Sequence, residues 1–116
     1  MDIYHGWCDL KPGVKDVDFA HAFETYMRHL KDAGAIEGYR LTRRKLGLAP
    51  RELGDFHFMI ETRDMAQLEK AFGLAASRRE PTESVHHALN SLVTNLTFAL
   101  YRDFPDSMRH EGQEKF

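Results

Sequence analysis

The chain has 116 residues, 42% hydrophobic and 29% charged, with sixteen basic and eighteen acidic side chains and a net charge of −2. A chain of that size buries roughly two-thirds of the surface its unfolded form exposes, enough for one core, so one domain over residues 1–103 with a polar tail over 104–116 is expected. The composition excludes intrinsic disorder, the charge balance does not suit phosphate backbones or anionic lipid, and no apolar run nears the ~20 residues that span a bilayer, so neither nucleic acid nor a membrane is an expected partner.

Residues 2–10 (DIYHGWCDL) are rich in aromatic and β-favouring types and stop at Lys11-Pro12-Gly13, which predicts a first strand. Over residues 17–33, Phe19, Phe23, Tyr26, Met27 and Leu30 recur at helical spacing and make one apolar stripe. Asp16 or Asp18 is expected to cap that helix and Gly34 to end it. Residues 36–46 predict a second strand, residues 47–54 a glycine-bracketed connection, and residues 55–62 (DFHFMIET) a third strand. Asp64 then caps a helix with Met65, Leu68, Phe72 and Ala75 on one face, and Arg78-Arg79-Glu80-Pro81 interrupts it. A further helix carries Val85, Ala88, Leu89 and Leu92, and residues 95–101 (NLTFALY) are the last strand.

The order β-α-β-β-α-(α)-β is the split βαβ arrangement, an α+β, ferredoxin-like fold. Right-handed crossovers lay all its helices on one face of a four-stranded antiparallel sheet. A sheet covered on one face should alternate apolar with polar. Here Phe56, Phe58, Ile60, Leu96, Phe98 and Leu100 fall on one face, while Met59, Ala99 and Tyr101 make the other largely apolar too. Strand one repeats this, with Ile3 and Trp7 on one side and Tyr4, Cys8 and Leu10 on the other. Each large side chain left in water forfeits ~1.5–3 kcal/mol, so a second copy of the chain is expected to cover the second face.

A ferredoxin-like chain with both sheet faces apolar resembles the dimeric α/β-barrel superfamily, over essentially residues 2–103. That superfamily includes cofactor-free monooxygenases, muconolactone-type isomerases, haem-degrading enzymes, stress-responsive proteins and many bacterial families of unknown function. The resemblance implies a homodimer built through the sheet and a ligand site between the sheet and the helices. It implies no cofactor. The haem-degrading branch fits poorly: His86 lies in the region of the iron-binding helix histidine, but strand one offers His5, Trp7 and Asp9 without asparagine and strand three has no tryptophan. An RNA-recognition module shares the element order, yet Asp55 stands where that module needs a basic start.

Seven histidines invite a metal reading. No His-x-x-x-His lies on a helix face, there is no cysteine pair, and no carboxylate falls three or four residues on from an inward helical histidine, so no metal site is expected. His86 and His87 diverge by ~100° and cannot hold one ion together. Periodicity leaves His21 and His29 in solvent and puts His110 in the tail. His87 points away from the apolar stripe, and His86 borders it. His57 falls on the face opposite Phe56 and Phe58. Cys8, the only cysteine, reads as a small buried hydrophobe and fits a reducing cytoplasm.

The expected site is therefore a cleft lined by Tyr4, Trp7, Tyr39, Phe58 and Phe98, with His86 and His5 as acid/base candidates for an apolar or aromatic compound. A cofactor-independent oxygenase, isomerase or lyase is the class the resemblance implies. The alternative is a non-catalytic binding or stress-response homodimer whose core is filled. A cleft of ~300 Å³ or more with an inward histidine separates the two. Arg40, Arg43 and Arg44 form a basic run that reads either as a solvated hairpin edge or as a carboxylate-binding group.

Overall fold

The structure is a computed structural model that describes residues 1–105; the rest of the expected tail, His110 included, lies outside the described residues. Strands β1 (Asp2–Leu10), β2 (Gly38–Arg43), β3 (Phe56–Thr62) and β4 (Val93–Arg102) form an antiparallel sheet in the order β2-β3-β1-β4. Helices α1 (Asp16–Asp32), α2 (Met65–Ala76) and α3 (Thr82–Asn90) complete the ferredoxin-like α+β fold. Among the described residues no helix is long and apolar enough to cross a membrane.

The apolar stripe of α1 does what its spacing predicts. Phe19, Phe23, Tyr26, Met27 and Leu30 are all buried. Phe19 meets Phe56 edge to face at 4.9 Å, and Phe23 meets Phe58 at 5.7 Å. The helix start departs from expectation. Lys15 is the N-cap and no side chain caps the helix; Asp16 is already in the first turn, and its carboxylate takes a 2.8 Å hydrogen bond from Arg43. At the other end Gly34 adopts φ +72°, and the Ala35 N–H closes onto the Leu30 carbonyl at 2.9 Å. Asp64 caps α2 as expected, accepting from the Gln67 N–H at 2.9 Å. On α2 the buried positions are Gln67, Leu68 and Ala71; Met65 and Phe72, expected on the buried face, are 44% and 46% exposed.

Alternation sorts the strands between two faces. Cys8, Phe56 and Ile60 are buried under the helices. Register then places Ile3, His5 and Trp7 of β1, His57 and Met59 of β3, and Ala99 and Tyr101 of β4 on the opposite face, which no helix of the described residues covers. A bulge between Trp7 and Asp9 inserts one extra residue in β4, where Asn95 takes φ 55° and its amide donates to Asp9 at 3.0 Å. The bulge lets β4 start at Val93, two residues earlier than alternation alone suggests.

Candidate functional site

The site begins at a glycine. Gly6 sits in β1 opposite Phe58 of β3, and a Cβ there would lie 1.9 Å from the Phe58 ring. Its bare backbone lets the Phe58 ring lie across β1 under the helices. Tyr4 stacks on Phe98 of β4 at 5.3 Å and meets Phe72 of α2 edge-on at 5.1 Å. These rings wall a cavity of about 210 Å³ between sheet and helices, with Tyr26, Leu68 and His86 also lining it. Leu96, Phe98 and Leu100 of the edge strand β4 lie on this face but are 40–49% exposed, because α2 and α3 stop short of that edge.

The cavity is almost wholly apolar, and its few polar groups stand out. Tyr26 is 8% exposed, and its hydroxyl has no hydrogen-bond partner among the described residues. The hydroxyl oxygen itself is not enclosed: among the described residues the unpartnered side-chain polar atom shut off from solvent is Arg44 Nε. The His86 ring lies 5.3 Å from the Tyr26 ring. Burial raises the Tyr26 pKa to about 12 and raises that of Tyr4, so both phenols keep their protons and serve as donors. Burial, with Asp9 nearby, pushes the Cys8 thiol up to about 11, which makes it an inert core group.

Of the residues expected to line the cleft, Tyr4, Phe58, Phe98 and His86 do so. His5 and Trp7 do not. Tyr4 and Cys8 occupy the helix face, and alternation sends the odd-numbered residues of β1 to the other side. Tyr39 is also absent from the lining, since its ring packs on Phe23 and its hydroxyl donates to Glu24 at 2.7 Å. The three arginines do not converge. Arg43 pairs with Asp16 and covers the Phe56 ring, and Arg44 donates to the Pro50 and Leu53 carbonyls of the 44–55 connection, while register puts Arg40 on the open face. His29 is not solvated either: it is half-buried and shares a 2.7 Å hydrogen bond with Thr82, tying α1 to α3.

On the open face, His5 Nδ1 and His57 Nε2 lie 2.9 Å apart. Trp7 stacks on His57 at 4.5 Å, and Tyr101 meets His5 edge-on at 5.2 Å. Burial holds both imidazoles below the ordinary histidine pKa, and His57 is lowered further by His5. No group of three or more metal-ligating side chains occurs among the described residues.

One signal was legible and is absent from the expected site. Glu83 precedes His86 by three residues, and Glu83, His86, His87 and Asn90 fall at i, i+3, i+4 and i+7, one face of α3. All four line an open hollow beside the cavity, and His87 is exposed there, off the apolar stripe as expected.

No curated protein matches the sequence. Among solved structures, a mutant of SnoaB, a cofactor-independent oxygenase from Streptomyces nogalater, is 10% identical with a TM-score of 0.67, covering 93% of this chain and 97% of that one. An antibiotic biosynthesis monooxygenase is 18% identical with a TM-score of 0.61, covering 90% of this chain and all of the other. A dimeric ferredoxin-like protein of unknown function from Jannaschia sp. CCS1 is 13% identical with a TM-score of 0.59, covering 89% and 100%. At these identities the likeness is one of fold, the ferredoxin-like fold. Over residues 1–116 the chain belongs to a family of unknown function, DUF6614.

Proposed function

We propose that this protein is a homodimer that binds a compact aromatic compound in the cavity between sheet and helices, where His86 takes or gives a proton. The observation that carries the reading is the His86 ring 5.3 Å from the Tyr26 ring, two polar groups set together in a largely apolar cavity. The cavity volume of about 210 Å³ is below the ~300 Å³ at which drug-sized pockets begin. It exceeds the ~150 Å³ of an apolar cavity that takes benzene, so the occupant has one or two rings. The cavity falls short of the ~300 Å³ set above to separate this reading from the non-catalytic alternative, so the choice between them rests on the binding test below. The dimer rests on the open face, where Trp7, Ile3, Met59 and Tyr101 gather, and on neighbours of this fold described as dimeric. Proton transfer to an imidazole from a bound phenol or a carbon acid is a step that oxygenation without a cofactor and isomerisation both use, and it is the chemistry assigned here to His86.

The test is calorimetric titration of the purified protein with 1-naphthalenemethanol, a neutral two-ring probe, alongside its effect on thermal stability. Binding is expected in the wild type and lost in Ala75→Phe, which fills the cavity wall. Tyr26→Phe should weaken it by roughly tenfold, the worth of one buried hydrogen bond. Equal binding by wild type and Ala75→Phe would remove the cavity as the site.

A further inference from the structure

We propose that the compound is an aromatic carboxylate whose ring enters the cavity and whose carboxylate is held outside it by Arg78. This rests on the cavity reading above. A second hollow of about 520 Å³ opens between α2 and α3 and shares Phe72, Ala75, His86 and Asn90 with the inner cavity. The two are one path, apolar at its inner end and polar at its outer end. The outer end adds Arg78, Glu83 and His87.

The donors there outnumber the acceptors. Arg78 offers the planar fork that matches a carboxylate in two parallel hydrogen bonds, and His86, His87 and Asn90 can each present an N–H. Glu83 is the one carboxylate. An ammonium group would need the reverse balance. Elsewhere Arg28, Arg43, Arg44, Arg63 and Arg102 each lie within 4 Å of an acidic side chain. Arg40, Arg51, Arg78 and Arg79 have no such pair among the described residues, and of these four Arg78 alone lines the hollow, with Glu83. Its backbone is also committed: φ is 54°, a left-handed conformation that residues other than glycine seldom adopt. The turn that ends α2 thus puts one arginine in the lining of the outer hollow, and Glu83 in the same lining disfavours a dianion.

The test compares 1-naphthoate, 1-naphthalenemethanol and 1-naphthylmethylamine by calorimetric titration at low salt. The carboxylate is expected to bind the wild type at least tenfold more tightly than the alcohol, and the amine no better than the alcohol. Arg78→Gln should bring carboxylate and alcohol level while leaving the alcohol within twofold of wild type. Arg78→Lys should keep the charge and part of the preference. Glu83→Gln should tighten the carboxylate alone by a few-fold. If the alcohol binds and the carboxylate is no tighter, or the amine is preferred, the Arg78 assignment falls and the cavity reading stands. If none of the three binds, both fall.

Discussion

The two faces of the sheet are both apolar, yet they are finished in opposite ways. The helix side is sealed by side chains of its own chain: Phe19, Phe23 and Met27 of α1 cover Cys8, Phe56 and Ile60, and the packing fails only toward β4, where the cavity opens. The far side has no cover among the described residues and carries a polar knot, the His5–His57 pair with Trp7 stacked on it. On the proposed reading, the sealed face with one gap takes the ligand. The open face, with its aromatic surface and few polar groups, has the composition of an interface core, which suits it to the second copy proposed above.

The largest effect expected on this contrast comes from the sealed side. Phe19 is 1% exposed and packs on Phe56, so Phe19→Ala should cost about 3–5 kcal/mol in denaturant unfolding. A loss under about 1 kcal/mol would show that the helix layer is not the principal seal. On the open side, Met59→Lys sets a charge in the middle of the proposed dimer interface. It should weaken the dimer by about 100-fold or more in sedimentation equilibrium, since a buried unpaired charge costs several kcal/mol, while the lone chain stays folded. A wild type that sediments as a monomer at micromolar concentration would break the comparison outright.

Gly6 tests the gap itself. Gly6→Ala forces its methyl into the Phe58 ring, and the room available to that ring is the cavity. Overpacking of this kind should cost about 1–3 kcal/mol and abolish binding of 1-naphthalenemethanol together. Full stability with unchanged binding would mean that Phe58 finds another rotamer and that the glycine does not shape the site.

Periodicity and parity were enough to read the layers. The 3.6-residue stripe of α1 and the alternation of Phe56, Phe58 and Ile60 depend on nearest neighbours along one element, which is what a sequence displays. The side of the sheet taken by His5 and Trp7 was not legible, because β1 is apolar on both sides and only the burial of Tyr4 and Cys8 under the helices breaks the tie. Pairings across long separations were hidden for the same reason: His29 meets Thr82 across 53 residues and Tyr39 meets Glu24 from a different element. The Glu83-His86-His87-Asn90 face could have been found. It is an ordinary helical spacing, obscured because attention to the apolar stripe treats everything off that stripe as solvated.

The smallest predicted effect distinguishes the faces by pH. For His5 Nδ1 to bond His57 Nε2, one imidazole must donate and the other accept, so the contact needs at least one neutral ring. Both pKa values are lowered by burial, and that of His57 also by His5. Asp9, Arg40, Glu61 and Tyr101 are the other titratable or charged groups that register places on this face. A native pKa below the unfolded value of about 6.5 means that the unfolded chain takes up protons first as the solution is acidified. Stability from the pair is therefore fully present above about pH 6.5 and is lost as pH falls through the depressed native values. The loss should be modest, because both rings are only half-buried, and greater for the dimer, whose interface would bury them further. Unfolding curves taken from pH 8 to pH 5 should show the midpoint falling below pH 6.5 in the wild type, and falling less in His57→Gln, which keeps a hydrogen-bonding side chain but no titrating ring. An identical acid slope in both proteins would place the titration elsewhere and leave the open face indifferent to pH.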